Sequence, residues 1–263
     1  MTLARRAFLR LAAFGCASCL AAGRAGAAEN AGHSAAPGGA AHWSYEGTTG
    51  PEHWGELQSD FKVCQLGLDQ TPIDLAGGIK GEIGKPTVRY NSLPLRVVNN
   101  GHTIQVNADP GSSCEIDGTK YELLQFHFHH PSEHLLAGKR LDLECHFVHK
   151  SSDGGLAVMG VFIRAGARND ALATLFDAMP MNEGPELRAN GVIDPAALLP
   201  GSGGYFRYMG SLTTLPCSEG LVWTVFKQPI EADPDQIRKF ASLFSNNARP
   251  AQKLNRRFLI DAN

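Results

Sequence analysis

The segment Gln125-Phe126-His127-Phe128-His129 alternates polar and aromatic residues with a period of two. That is the period of a β-strand, in which successive side chains point to opposite faces. The segment therefore puts His127 and His129 side by side on one face, with Phe126 and Phe128 on the other. Two imidazoles so placed can reach one metal ion. Beyond a loop around Gly138, Glu144-Cys145-His146 repeats the arrangement. If the two strands pair, His146 supplies a third nitrogen. Three histidines leave the fourth tetrahedral position open, the layout of a catalytic rather than a structural zinc. His130, His134 and His149 are rival ligands, although His130 and His149 fall out of phase with His129 and His146 in regular strands. Gln125 and Glu144 each precede a proposed ligand by two residues. From there a side chain can take the N–H that a ligating imidazole turns away from the metal.

The remaining pattern is also mostly strand. Leu95–Val98, His102–Asn107, Tyr121–His129, Leu141–His149, Ala157–Arg164 and Leu221–Gln228 are β-branched or alternating, with turn-forming residues at many ends. Asn169–Met179 and Pro234–Phe244 repeat apolar residues at helical spacing, capped by Asn169 and by Asp233 ahead of Pro234. The expected fold is mainly β: a single domain over residues 42–263, with a large central, mostly antiparallel twisted sheet and short peripheral helices. The 263 residues are 43% hydrophobic and 19% charged, which excludes a disordered or collagen-like chain. No apolar run reaches the length of a membrane span. A formal charge of −2 gives no support to nucleic-acid binding through bulk positive charge.

The chain opens with an address. Ala4–Arg10 is basic, Leu11–Gly23 is short and apolar, and Ala25-Gly26-Ala27 offers a cleavage site. Residues 1–27 read as a signal peptide. The pair Arg5-Arg6 followed by Phe8-Leu9 resembles a twin-arginine export signal, with the general secretory route as the alternative. Residues 28–41, rich in Ala, Gly and Ser, read as a flexible lead-in. Cleavage removes Arg5, Arg6, Arg10 and Arg24 and no acid, so the charge moves from −2 to −6. It also removes Cys16 and Cys19, leaving Cys64, Cys114, Cys145 and Cys217. The expected location is periplasmic or secreted, where a disulfide persists.

Beyond these readings the chain resembles the α-class carbonic anhydrases from about His42 to its C-terminus. The resemblance rests on motifs in family order: His42-Trp43-Ser44-Tyr45 with Gly50-Pro51-Glu52-His53-Trp54; Gln70-Thr71-Pro72-Ile73-Asp74-Leu75; Asn99-Asn100-Gly101-His102; Gln125–His129 with Ser132-Glu133-His134; Glu144–His149; Gly155–Phe162; Tyr208–Thr214 with Trp223; and Asn247-Ala248-Arg249-Pro250. It implies reversible hydration of carbon dioxide to bicarbonate and a proton, through attack by zinc-bound hydroxide. His127, His129 and His146 match the ligands of one Zn2+. Gln125, Glu144 and the backbone carbonyl of Asn247 match the groups that orient them. Thr213 matches the threonine that accepts a hydrogen bond from the hydroxide, and Glu133 the carboxylate that receives the threonine's own proton. An ionised carboxylate only accepts, so Thr213 must donate to it.

The resemblance also makes His102 the proton shuttle, a task suited to a residue that titrates near neutrality. Tyr45 and Asn100 match residues that order water towards it, with Gln105 nearby. Val148, Val158, Leu212, Leu221 and Trp223 match the apolar pocket for carbon dioxide, and Thr214 lines the same wall. Cys64 and Cys217 match a disulfide found in exported members, and Cys114 and Cys145 are expected to be free thiols. Anions and sulfonamides are implied as inhibitors, and a homodimer as the assembly. Three positions depart from the commoner pattern: His130 and Ala248 where Trp is frequent, and Leu215 where Pro is. The competing readings are a silent binding domain on the same fold and a zinc-storage protein. Such silent domains usually lack a zinc histidine, and the lead-in holds only His33 rather than a His-rich tract.

Overall fold

A 12-stranded sheet organises the protein in the computed structural model, which describes residues 42–263. The signal peptide expected at 1–27 and the lead-in at 28–41 lie outside the described residues. The sheet runs in the order Leu187–Ile193, Leu93–Asn99, Ile104–Asn107, Thr119–His129, Leu143–Ser151, Leu156–Ala165, Glu219–Ala232, Tyr205–Ser211, Ile260–Ala262, Ile79–Lys80. Thr87–Arg89 and Ser113–Ile116 branch from it beside Thr119–His129.

Most pairs are antiparallel, as expected, but the sheet is mixed. Leu156–Ala165 pairs in parallel with Glu219–Ala232, and Ile260–Ala262 with Ile79–Lys80. A small second sheet, Asp74–Leu75 with Leu135–Leu136, is parallel too. A parallel neighbour needs a long crossover. Here the chain leaves Ala165, forms the helix Asp170–Asp177 and the edge strand Leu187–Ile193, and lays down Tyr205–Ser211 before it turns back into Glu219–Ala232.

The expected helices are present but shorter, Asp170–Asp177 and Pro234–Ala241. Asn169 Oδ1 accepts the Leu172 N–H at 3.1 Å. Asp233 and Gln236 cap the second helix reciprocally. The strand expected from His102 starts at Ile104, because Asn100–Thr103 is a turn.

The sheet keeps two apolar faces. On one, Phe126, Phe128, Cys145 and Phe147 pack beneath Leu172, Phe176, Ile237 and Phe240 of the helices. On the other, Val148, Val158, Tyr208 and Trp223 meet Ile73 and Leu75. Complete burial of Phe126 and Phe128 contributes about 2 kcal/mol each. A slip of one residue in register would expose both rings and turn the histidines into the core. The aromatic half of the alternation thus fixes where the histidines point. A third cluster, Trp43, Trp54 and Leu215, surrounds a disulfide between Cys64 and Cys217.

Candidate metal centre and its surroundings

The two histidine-bearing strands pair, with His127 directly opposite His146. Ligating atoms of His127, His129 and His146 lie within 4.8 Å of one another. Each ring has one nitrogen already engaged. His127 Nδ1 donates to Gln125 Oε1 at 2.8 Å, and His129 Nδ1 to the Asn247 carbonyl at 2.8 Å. His146 Nε2 donates to Glu144 Oε1 at 3.0 Å. By elimination Nε2 of His127, Nε2 of His129 and Nδ1 of His146 remain. His129 Nε2 is buried with no hydrogen-bond partner. Burial, reinforced by the neighbouring histidines, pushes His127 well below its ordinary pKa. Burial also lowers His129, only partly offset by Glu133. Both shifts favour the neutral imidazole, the form that binds metal. Three imidazole nitrogens around one point, one of them otherwise orphaned, fit a zinc ion.

Glu144 anchors this arrangement. It accepts His146 Nε2–H, His134 Nδ1–H at 2.7 Å, and the backbone N–H groups of Glu133 and His134 at 2.9 and 2.8 Å. Burial alone would raise its carboxyl. Electrostatic attraction to the His134 and His146 rings and the hydrogen bonds they donate overcome that and hold it well below the usual range. Glycine at position 160 leaves it room, since a Cβ there would stand 3.0 Å from Glu144 Oε1.

The rival histidines are placed elsewhere. His134 lies beside Glu144 and His146, but both its ring nitrogens are engaged, Nδ1 with Glu144 and Nε2 with the Tyr208 hydroxyl at 2.6 Å. The chain of bonds continues from Tyr208 to Thr71 at 3.3 Å. Thr71 and Ser211 then exchange two bonds of 2.9 Å. Ser211 opens the segment that carries Leu212, Thr213 and Thr214. Sequence reasoning weighed His134 only as a rival ligand and gave no role to Tyr208, Thr71 or Ser211, although all four stand inside its motifs. His149 is on the opposite face against Tyr90, and His130 Nδ1 donates to the Ser245 carbonyl.

Glu133 differs from expectation. Its Oε1 accepts the Arg249 N–H at 2.8 Å, which fixes the carboxylate. Its Oε2 has no hydrogen-bond partner, so the expected bond from Thr213 is not made. That oxygen faces the histidines, 3.5 Å from His129 Nε2 and 3.8 Å from His146 Nδ1. Thr213 itself is buried. Its segment is held by Cys217 N–H to the Thr214 carbonyl and by Trp223 Nε1–H to the Ser211 carbonyl.

The apolar wall follows from register. Val148 lies opposite Val158, and Val158 opposite Trp223, one row from the His127–His146 pair. The Trp223 ring centroid is 4.9 Å from that of His146, and Leu221 and Leu212 complete the cluster. Thr214 is half-buried beside it.

His102 stacks flat on Trp43, with centroids 3.6 Å apart, and the Tyr45 ring stands edge-on at 6.4 Å. The Tyr45 hydroxyl is buried without a hydrogen-bond partner. Burial, reinforced by the charge of Glu133, raises it well above its ordinary pKa. Asn100 departs from a purely water-ordering role, because its Oδ1 builds the turn that carries His102. Gln105 sits opposite His127 on the next strand and donates to Asn107 at 2.6 Å. Cys64 and Cys217 are bridged with Cα atoms 5.1 Å apart, and Cys114 and Cys145 are free and buried.

Fold and site together define a mainly β protein with a three-histidine metal-binding group beside an apolar wall. The model of the eukaryotic-type carbonic anhydrase family matches residues 49–261. A carbonic anhydrase of Nostoc sp. is 48% identical over 227 residues, covering 84% of this chain and 86% of that protein. Among solved structures, the α-carbonic anhydrase of Thermovibrio ammonificans with the inhibitor sulfanilamide is 44% identical. It superposes with a TM-score of 0.82 over 84% of this chain and all of that one. A carbonic anhydrase of Chlamydomonas reinhardtii with acetazolamide is 37% identical, with a TM-score of 0.74 over 84% of this chain and 99% of that one. The chain belongs to the eukaryotic-type, or α, carbonic anhydrase family. Membership implies reversible hydration of carbon dioxide as its activity. No helix among the described residues is long and apolar enough to cross a membrane.

Proposed function

We propose that this carbonic anhydrase works through one Zn2+ held by His127, His129 and His146, with His102 as its proton shuttle. The observation that carries the reading is the set of three ring nitrogens left over when every other imidazole bond is made, the buried His129 Nε2 above all. Zinc supplies a Lewis acid that lowers the pKa of water to about 7 and makes a nucleophile available at neutral pH. Gln125, Asn247 and Glu144 hold the three rings in their tautomers. Val148, Val158, Leu212, Leu221 and Trp223 receive carbon dioxide, which has no net charge to solvate. A Thr213 hydroxyl that donated to the free Glu133 Oε2 would be left only as an acceptor towards a group at the metal site. Thr214 completes that wall. The imidazole of His102 accepts the released proton and passes it to buffer, and Tyr45, Asn100 and Gln105 line its path.

The same reading includes inhibition by anions and sulfonamides, a homodimer, and export to the periplasm or beyond after loss of residues 1–27. The Cys64–Cys217 bridge supports export, since such bonds persist in oxidising compartments. Stopped-flow carbon dioxide hydration by the zinc-loaded mature chain, beside a His129→Ala variant treated identically, tests the core of it. Fast hydration that collapses in the variant is expected. A folded chain that holds one zinc and hydrates nothing would refute it.

A further inference from the structure

A shuttle is useful only if its backbone stays at a fixed distance from the metal-binding strand while its ring turns. The turn that carries His102 is tight. Asn100 Oδ1 accepts the N–H groups of His102 and Thr103 at 3.0 and 2.9 Å, and Asn100 N–H reaches the Thr103 carbonyl at 3.3 Å. The Thr103 side chain fastens this turn to the ligand strand at Phe128, which sits between His127 and His129. The Thr103 hydroxyl donates to the Phe128 carbonyl at 2.5 Å and accepts the Phe128 N–H at 3.2 Å. It thereby adds one rung beyond the end of the Ile104–Asn107 ladder.

A second tie comes from the far end of the chain. Asn247 Nδ2 donates to the His102 carbonyl at 2.9 Å and the Phe128 carbonyl at 3.0 Å, while Oδ1 accepts the His130 N–H at 2.7 Å. Both side chains are buried. Every polar atom of the carboxamide is used, and only an amide fits. A carboxylate would point at two carbonyl oxygens, and an apolar isostere would strand three buried groups.

We infer that Thr103 and the Asn247 carboxamide are positioning residues for proton transfer, clamping the His102 turn onto the ligand strand and so setting the distance between shuttle and metal. Neither touches the reacting atoms. The inference rests on His102 being the shuttle. Proton export follows release of bicarbonate, so a loosened clamp lowers kcat and spares kcat/KM.

The test uses zinc-loaded mature enzyme with Thr103→Val, which keeps the shape, Thr103→Ser, which keeps the hydroxyl, and His102→Ala. In weak buffer Thr103→Val should lower kcat about fivefold, misplacement of a reacting group by a fraction of an ångström sufficing. Its kcat/KM and its zinc affinity by chelator competition should stay within about twofold of the parent. Imidazole should restore kcat, amide relaxation of residues 101–103 should show faster motion, and Thr103→Ser should behave as the parent. If His102→Ala slows turnover while Thr103→Val does not, there is no clamp. An equal fall in kcat and kcat/KM for Thr103→Val would show a general structural role and overturn it as well. If His102→Ala itself leaves kcat unchanged, the shuttle reading is wrong and the clamp falls with it.

Discussion

Tyr90 Oη lies 2.6 Å from His149 Nε2, and the Nδ1–H of that ring reaches the Ala157 carbonyl at 3.3 Å. The pair satisfies a neutral imidazole, and burial lowers its pKa to about 4. An unfolded-chain histidine titrates near 6.5, so between the two values the unfolded state binds a proton that the folded state refuses. Stability therefore rises with pH through that window and is lost as pH falls through it, by about 3 kcal/mol at its lower end. Urea titrations at pH 7 and 4.5 should show that loss, and His149→Phe should flatten it. Equal slopes for parent and variant would mean that another group carries the acid sensitivity. At His102 the expectation is kinetic. His102→Ala should slow turnover in weak buffer and recover in imidazole, whereas a loss equal at every buffer concentration would remove the shuttle assignment.

The strand pair bearing the ligands was legible because one five-residue alternation settles both the faces and the register, and Phe126 and Phe128 enforce it. The parallel pairing of Leu156–Ala165 with Glu219–Ala232 was not legible, since a period of two is the same whichever way a neighbour runs. The edge strand Leu187–Ile193 escaped because it is mostly exposed and has no alternation to betray it. The task of His134 was equally hidden, as it depends on Tyr208, which only the fold brings near. Gly160 shows the same limit: nothing local says that a Cβ there would press on Glu144 and, at 3.3 Å, on Val225. Gly160→Ala should displace Glu144 and weaken zinc retention about tenfold while the fold survives. Chelator-driven zinc loss measures it, and parent-like retention would show that Glu144 has room to move.

At the scale of the molecule, the Cys64–Cys217 bridge spans 153 residues of sequence. Its pairing was legible only through family resemblance, because spacing alone does not choose between partners. Loop entropy puts its stabilisation at about 5 kcal/mol, with strain and residual unfolded structure reducing that. The double variant Cys64→Ser with Cys217→Ser should unfold at clearly lower urea. It should also lose some activity before it unfolds, because the bridge anchors the turn in which the Cys217 backbone N–H holds the Thr214 carbonyl. Activity that tracks the unfolding curve throughout would separate the bridge from the site. The bridge also draws a closed covalent ring around His102, His127, His129, Glu133, His146 and Thr213. A peptidase that cuts once inside this ring, for example at the exposed turn Ser152-Asp153-Gly154, opens the backbone without releasing a fragment. The nicked chain would run as one band without reductant and as two with it, with every group just named still on one covalent body.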